Sequence, residues 1–332
     1  MVKSRTYDQL DRRLVQALQL DGRVPFSRIA EVLGVSDQTV SRRFSRLRTE
    51  GSVRVMGLTD PLVLGEVQWL VRVQCTPDAA VKVAQALARR EDTAWVSLTS
   101  GGTEINCMTR SQIGQDAHAL LLQRLPRTPS VVGVTAQCVM HTFFGGALGM
   151  ATKSNALTAA EADALRPTFS GAQDGGPVVL DDGDRAMLAV LGHDGRADLG
   201  ELSKAAGWSQ STTRRRLTQL RDSGALYLDV DYDPHIFDLE AKTLLWLSVA
   251  PSELAATGQA LTAHPEVAYA CATTGATNLH AVVLCKDIHA LYMYLTTSIA
   301  TLPAVRQVET APIMHSLKSA GSLASGLPRP SH

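Results

Sequence analysis

Residues 33–51 read Leu-Gly-Val-Ser-Asp-Gln-Thr-Val-Ser-Arg-Arg-Phe-Ser-Arg-Leu-Arg-Thr-Glu-Gly. Gly34-Val35 is a tight turn. Ser36 after it is a strong helix cap, because its hydroxyl accepts from an orphan amide of the first turn. The spacing predicts a helix from Asp37 to Glu50, ended by Gly51. Val40, Phe44 and Leu47 share one face at i, i+4, i+7. Gln38, Thr39, Ser41, Arg42, Ser45 and Arg46 fall on the other side, with Arg43 toward the flank. Before this stretch, Leu10, Leu14, Ala17 and Leu18 mark a first helix, for which Asp21-Gly22 is expected to supply a left-handed end. Ile29, Ala30 and Leu33 mark a second, from about Ser27. Helix, Gly-containing turn and capped helix make a helix-turn-helix. Val53–Leu58 follows as an extended segment and a candidate wing.

The same stretch returns 173 residues later. Asp21-Gly22-Arg23 recurs as Asp194-Gly195-Arg196, and Gly34-x-Ser36 as Gly207-x-Ser209. Thr39, Arg42, Arg43, Leu47, Arg48 and Gly51 match Thr212, Arg215, Arg216, Leu220, Arg221 and Gly224. In the second copy Ser209 caps the third helix, Thr213, Leu217 and Leu220 form its buried stripe, and Gln210, Ser211, Thr212, Arg214 and Arg215 lie outward. Matches continue downstream with a small drift, Gly101 to Gly275 and Thr103 to Thr277. The chain is therefore a tandem duplication of a unit of roughly 140–150 residues.

The second part of each copy reads strand–helix–strand–strand–helix–strand. Val67, Trp69, Val71, Val73 and Cys75 alternate at period two. A helix over Pro77–Arg89, strands Ala94–Thr99 and Thr103–Thr109 around Gly101-Gly102, a helix over Ala117–Leu125 and a strand over Val131–His141 complete the first. The second runs Thr243–Ala250, helix Ser252–Ala263, Val267–Thr273, Thr277–Cys285, helix Ile288–Ala300 and Val305–Ile313. This is the split βαβ, ferredoxin-like order. The fold class is α+β, a (winged) helix-turn-helix followed by a βαββαβ domain, the pair repeated twice. The boundaries are 1–58 and 59–144 for the first pair, 145–180 for a linker, 181–232 and 233–316 for the second pair, and 317–332 for a flexible tail. The linker carries a short helix over Thr158–Leu165, with Glu161 at N3 and Pro167 as its stop.

Charge fits this division. Lys plus Arg and Asp plus Glu are each 32, so the net is zero. Residues 1–56 carry eleven basic against six acidic side chains, whereas residues 227–332 carry five against nine. Neutrality is thus a sum of opposites and leaves nucleic acid open as a partner. Apolar residues at 45% exclude a disordered chain. No run of about 18 apolar residues suggests a membrane span. The N-terminus, Met1–Gln9, lacks a signal-peptide core. Five Cys (Cys75, Cys107, Cys138, Cys271, Cys285), none in a Cys-x-x-Cys pair, read as reduced core thiols of a cytoplasmic protein. No metal site and no cofactor are expected.

The combination resembles the Lrp/AsnC (feast/famine) family of prokaryotic transcription regulators. The resemblance rests on Leu10-Asp11…Leu18…Asp21-Gly22-Arg23, Leu33-Gly34-Val35-Ser36, Val40-x-x-Arg43-x-x-x-Leu47 and Gly51 before a strand. The family's βαββαβ domain has a Gly-containing turn before its third strand, here Ser100–Glu104 and Thr274–Asn278. The family's turn is commonly followed by Asp, where this chain has Glu104 and Asn278. The resemblance implies double-stranded DNA as a partner. It also implies a small effector, an amino acid or related metabolite, near the turns, with Gly101, Thr103, Glu104, Thr274, Gly275, Thr277 and Asn278 as candidates. Pairing of the two units within the chain would make a pseudo-dimer, with further homo-oligomerisation expected.

Arg reads guanine and Gln reads adenine in the major groove, while Ser and Thr suit phosphates. The DNA candidates are Gln38, Thr39, Ser41, Arg42, Arg43 and Arg46, then Gln210, Ser211, Thr212, Arg214, Arg215 and Arg216. For Arg43 and Arg216, a phosphate contact and an intramolecular ion pair remain open. A basic helix face is often merely solvated; recurrence behind a capped turn in both copies favours DNA. Two alternatives stand beside this. The second helix-turn-helix would serve as a spacer, or the chain would be an enzyme resembling siroheme decarboxylases of the same architecture. Against the enzyme, the two turns carry no Arg and no aromatic residue, and no catalytic constellation is visible.

Overall fold

A computed structural model of the chain describes residues 6–112, 124–125, 127–146, 155–167 and 178–320. In the first copy, α1 (Gln9–Leu20), α2 (Phe26–Leu33) and α3 (Asp37–Thr49) precede β1 (Val53–Thr59). Then come β2 (Glu66–Cys75), α4 (Ala80–Ala88), β3 (Thr93–Thr99), β4 (Glu104–Gln112) and β5 (Val131–Phe144). The linker helix is α5 (Ala159–Leu165). The second copy holds α6 (Asp182–His193), α7 (Leu199–Ala206), α8 (Gln210–Asp222) and β6 (Leu226–Tyr232). It continues with β7 (Ala241–Val249), α9 (Leu254–Thr262), β8 (Val267–Thr273), β9 (Leu279–Cys285), α10 (Ile288–Met293), β10 (Val305–Pro312) and β11 (His315–Ser316). Of the helix expected over Ala117–Leu125, residues 117–123 lie outside the described residues, as do 147–154 and 168–177 of the linker.

The compact units cut across the repeats. One gathers residues up to Asp60 with 149–240, and so holds both helix-turn-helix motifs. The other gathers Pro61–Leu148 with the chain from Ala241 onward, and so holds both βαββαβ domains.

In the first unit, Gly34 and Gly207 end α2 and α7 in the left-handed conformation, with φ 67° and 69°, as Gly permits at little cost. Ser36 and Ser209 cap α3 and α8 by accepting from the amides of Thr39 and Thr212. Leu14, Leu18, Ile29, Val40 and Leu47 are nearly inaccessible to solvent and build one core. In the second copy Thr213 is buried where Val40 stood, but its hydroxyl donates to the Ser209 carbonyl at 3.0 Å. No hydroxyl is therefore stranded at that position.

Two expectations are corrected by the structure. Gly22 does not end α1 in a left-handed conformation; Asp21 caps it with extended backbone. Glycine is required for space, since a Cβ on Gly22 would lie 2.7 Å from Val55 Cγ1, and one on Gly195 2.9 Å from the Met56 backbone. Nor does Val53–Leu58 stand as a wing on one motif alone: Val53 and Val55 are buried in the helix core, and the strand is shared between the copies. β1 pairs antiparallel with β6 of the other copy, from Val53↔Tyr232 to Thr59↔Leu226.

In the second unit, nine strands follow the order β10-β7-β9-β8-β5-β2-β4-β3-β11. Each copy contributes a ferredoxin-like quartet. β5 pairs with β2 through its first half and with β8 through its second. β10 pairs with β7, and β11, two residues further on, pairs with β3. The two ends of the sheet are thus one stretch of chain, and the sheet closes, which leaves no long open edge. One face of each quartet packs on helices, around Val71, Val73, Ile105 and Ala84 in the first copy and Leu245, Leu247, Ala281 and Leu261 in the second. The opposite faces bury Leu70, Met108, Val139 and Cys271, and Leu244, Trp246 and Ala311.

Three further boundaries differ from expectation. The helix expected from Pro77 begins at Ala80. The helix expected over Ile288–Ala300 is α-helical only to Met293, then passes through a π turn at Tyr294–Ser298. The tail expected to be flexible from residue 317 starts packed. Leu317 is fully buried, and its amide donates to the Val96 carbonyl at 2.8 Å.

Candidate nucleic-acid interface

α3 and α8 are related by an approximate two-fold axis within their unit. The β1–β6 register places Met56 opposite Asp229, which are equivalent residues of the two copies. The Asp-Gly-Arg repeats fasten the pair. Arg23 donates to the carbonyls of Gly195 (2.8 Å) and Ala197 (2.9 Å). Arg196 donates to those of Gly22 (2.7 Å) and Val24 (3.1 Å) and lies over the Phe26 ring at 4.2 Å. Burial and the neighbouring Arg23 push the Arg196 guanidinium down to about 10. Arg48–Asp194 (2.8 Å) and Arg221–Asp21 (3.0 Å) repeat the symmetry as ion pairs. The repeated motif was visible in the sequence, but its cross-copy role was not; the identical Arg in both copies was the available signal.

The candidate DNA residues divide into two groups. Gln38, Arg42, Gln210, Ser211, Arg214 and Arg215 are exposed, and Thr39, Ser41 and Thr212 are half-buried. Arg43, Arg46 and Arg216 are held inward. Arg43 donates to Asp8 (2.6 Å) and Asp11 (3.2 Å), and Arg46 to Asp11 (2.7 Å), whose side chain is 1% exposed. Arg216 grips the buried Asp184 with two donors, at 2.7 and 2.6 Å. Burial alone would raise the Asp184 carboxyl; Arg216 and the Asp181 amide outweigh it and hold the group below the usual carboxylate range. For Arg43 and Arg216 the ion-pair reading describes what the structure shows. These arginines clamp each recognition helix to the first helix of its own motif.

The Gly-containing turns differ. In the first, Gly101 and Gly102 have φ of 71° and 85° with open space around them. Thr103 donates to the Ser100 carbonyl. Glu104 accepts from Ser100 and from Arg72. In the second, Gln137 of β5 fills the space, and a Cβ on Gly275 would lie 2.8 Å from its amide nitrogen. Gln137 Nε2 donates to the Thr274 and Thr277 carbonyls and to Thr277 Oγ1. Thr274 Oγ1 accepts from the Cys138 amide, and Asn278 bonds both backbone groups of Val249. The candidate polar side chains at the second turn are thus spent on the protein itself.

Four of the five cysteines are buried and Cys138 is half-buried, none in a disulfide. Burial pushes the Cys107 and Cys271 thiols up to about 12, far from a reactive thiolate at neutral pH. Among the described residues no helix is long and apolar enough to cross a membrane.

Two capped recognition helices on a symmetric frame, with paired βαββαβ domains, define a DNA-binding transcription regulator with a ligand-binding module. The AsnC-type helix-turn-helix domain matches residues 8–48 and 180–221, and the Lrp/AsnC ligand binding domain matches 243–323. Its helix-turn-helix and ligand-binding domains are those of the Lrp/AsnC family of regulators. It is 26% identical to the HTH-type transcriptional regulator FL11 of Pyrococcus abyssi over 137 residues, covering 41% of this chain and 90% of that protein. It is 26% identical to the HTH-type transcriptional regulator AldR of Mycolicibacterium smegmatis over 149 residues, 43% of this chain and 87% of that one. The crystal structure of the siroheme decarboxylase NirDL aligns over 96% of this chain and 95% of its own, with TM-score 0.62 and 13% identity. At that identity the likeness concerns the fold alone.

Proposed function

We propose that the chain regulates transcription by binding double-stranded DNA with α3 and α8 together, as a cytoplasmic protein without enzymatic activity. The observation that carries this is the pairing of two exposed polar helix faces, Gln38 and Arg42 with Gln210, Arg214 and Arg215, about one axis. The helices are unlike. α3 carries Asp37 in its first turn, whereas α8 has no acidic residue there. The reading favours an operator of two different half-sites, and it makes the second motif a DNA reader rather than a spacer. Clamped Arg43, Arg46 and Arg216 serve as positioning residues that also approach the backbone. Footprinting of captured genomic DNA tests this. Protection of two unlike major-groove segments is expected, and protection of one segment per chain would return α8 to the role of spacer.

An effector of amino-acid type would enter at the Ser100–Glu104 turn. Open space around Gly101 and Gly102 supports that choice, and Gln137 blocks the other turn. The decarboxylase reading finds less support. Arg72 of the βαββαβ pair is tied to Glu104 and Glu309 and so offers no free cation to a tetrapyrrole.

A further inference from the structure

In the unit that holds both helix-turn-helix motifs, a cavity of about 320 Å³ opens between the end of α3, the start of β1 and the end of α6. It is lined by Phe44, Arg48, Arg54, Val55, His193 and Asp194. Asp194 is already engaged, accepting from Arg48 at 2.8 Å and from the Arg196 amide at 2.9 Å. Arg54 and His193 make no ion pair or side-chain hydrogen bond among the described residues. His193 sits in the last turn of α6.

The repeat supplies an internal control. The equivalent positions in the other copy are Leu217, Arg221, Tyr227, Leu228, Leu20 and Asp21. The Arg48–Asp194 pair recurs as Arg221–Asp21 and belongs to the frame. Arg54 and His193 do not recur; the same corner is built there with Tyr227 and Leu20. The fold therefore has no need of these two side chains, and they mark the first corner chemically.

We propose that this cavity binds a phosphoryl group. A guanidinium and an imidazole from two separate elements line one space. That arrangement suits a tetrahedral oxyanion with several acceptors better than a planar carboxylate. Asp194, and Asp231 opposite Arg54 in the ladder, offset part of the charge, so the site offers directed donors more than field strength. Phe44 and Val55 form an apolar wall for whatever the phosphoryl group is attached to. Two sources share this chemistry, a phosphorylated small molecule and the phosphodiester of bound DNA.

The test uses the full chain with the residues of the other copy exchanged in, Arg54→Tyr and His193→Leu, which the same fold accommodates. Inorganic phosphate is titrated against sodium chloride at matched ionic strength and thermal stability is followed. A saturable stabilisation by phosphate, with its midpoint weakened about tenfold in each variant, supports the free-ligand source. No saturation by phosphate, but a DNA salt dependence whose slope falls by about one contact in each variant, supports the phosphodiester source. Phosphate acting no better than chloride, with DNA salt slopes unchanged, overturns the proposal. So does a phosphate response equal in wild type and both variants. The phosphate arm contains no DNA, so it stands apart from the proposed operator binding.

Discussion

Met56 faces Asp229 across the β1–β6 ladder, and the two hold the same place in their respective repeats. A two-fold relation in the ribbon passes directly to α3 and α8. Their separation is then fixed by this unit rather than by the association of two chains. Binding by both helices should follow first-order dependence on chain concentration, with no dimerisation step. Mobility-shift titration over a wide concentration range reads this, and a second-order dependence would contradict it.

The frame depends on Arg23 and Arg196. Arg196→Ala removes two hydrogen bonds to backbone carbonyls and the stack on Phe26. It leaves those carbonyls without their partner, at a cost of roughly 1–3 kcal/mol. Arg23→Ala should act in the same direction. Urea unfolding should show a lower midpoint for each, and DNA affinity should fall even though neither residue lies on a recognition face.

Arg42 and Arg43 are neighbours with opposite expectations. Arg42 is exposed and makes no ion pair or side-chain hydrogen bond among the described residues. Arg42→Ala should therefore leave thermal stability within about 0.5 kcal/mol of wild type. It should weaken DNA binding and reduce the salt slope if the contact is to phosphate. Arg43→Ala breaks a clamp onto the nearly inaccessible Asp11, which Arg46 still holds, and should lower stability by about 1 kcal/mol. Arg216→Ala removes the two-donor grip on Asp184 and should cost more, roughly 2–4 kcal/mol, because that carboxylate is left buried without its cation. Calorimetry alongside mobility shift separates the two behaviours.

Local order was legible in the sequence because it depends on local chemistry. Ser36, Gly34 and the Val40–Phe44–Leu47 stripe mark the recognition helix within a few residues. Gly275 also announced its turn. What was not legible depends on residues meeting across the repeat. Gly22 was readable as a helix terminator, but its role is to admit Val55, which lies 33 positions away. Gln137 closing the Thr274 turn and Arg43 folding back on Asp8 are decided by which strand or helix lies alongside, and no spacing rule reports that. The same holds for Arg72, which carries no motif. It stacks on Trp246 at 4.0 Å and binds Glu309, and Trp246 is its own counterpart in the second copy.

That last contact makes the pairing of the βαββαβ domains directional. Two first-copy domains facing each other would set Arg72 against Arg72, with Thr135 where Glu309 stands. Two second-copy domains would set Trp246 against Trp246. Glu309→Arg should therefore repel Arg72 and lower the stability of this unit. Arg72→Glu, set against the buried Glu104, loses stability on its own account, and the double variant should lose less than the two single losses summed. Thermal unfolding of the single and double variants measures the coupling, and strict additivity would show that the pair contributes nothing.

His280 makes the same unit sensitive to acid. It is buried between Trp246 and Tyr269, with Nδ1 lacking a hydrogen-bond partner among the described residues. Burial lowers its pKa to about 4; the bond to the Leu245 backbone opposes that, and the Arg72 charge adds to it. In the unfolded chain the ring titrates near its ordinary 6.5. Between those values the unfolded chain binds the extra proton, so stability rises with pH in this window and is lost as pH falls from 6.5 toward 4. The whole window is worth about 3 kcal/mol at most, at roughly 1.36 kcal/mol for each tenfold change in proton affinity. His280→Asn borrows Asn106, the residue at the equivalent position of the first copy. It should remove this slope between about pH 6.5 and 4.5 while leaving the steeper carboxylate-driven loss below about pH 4. Urea midpoints measured at half-unit intervals distinguish the two, and an unchanged slope in the variant would assign the acid sensitivity to another group.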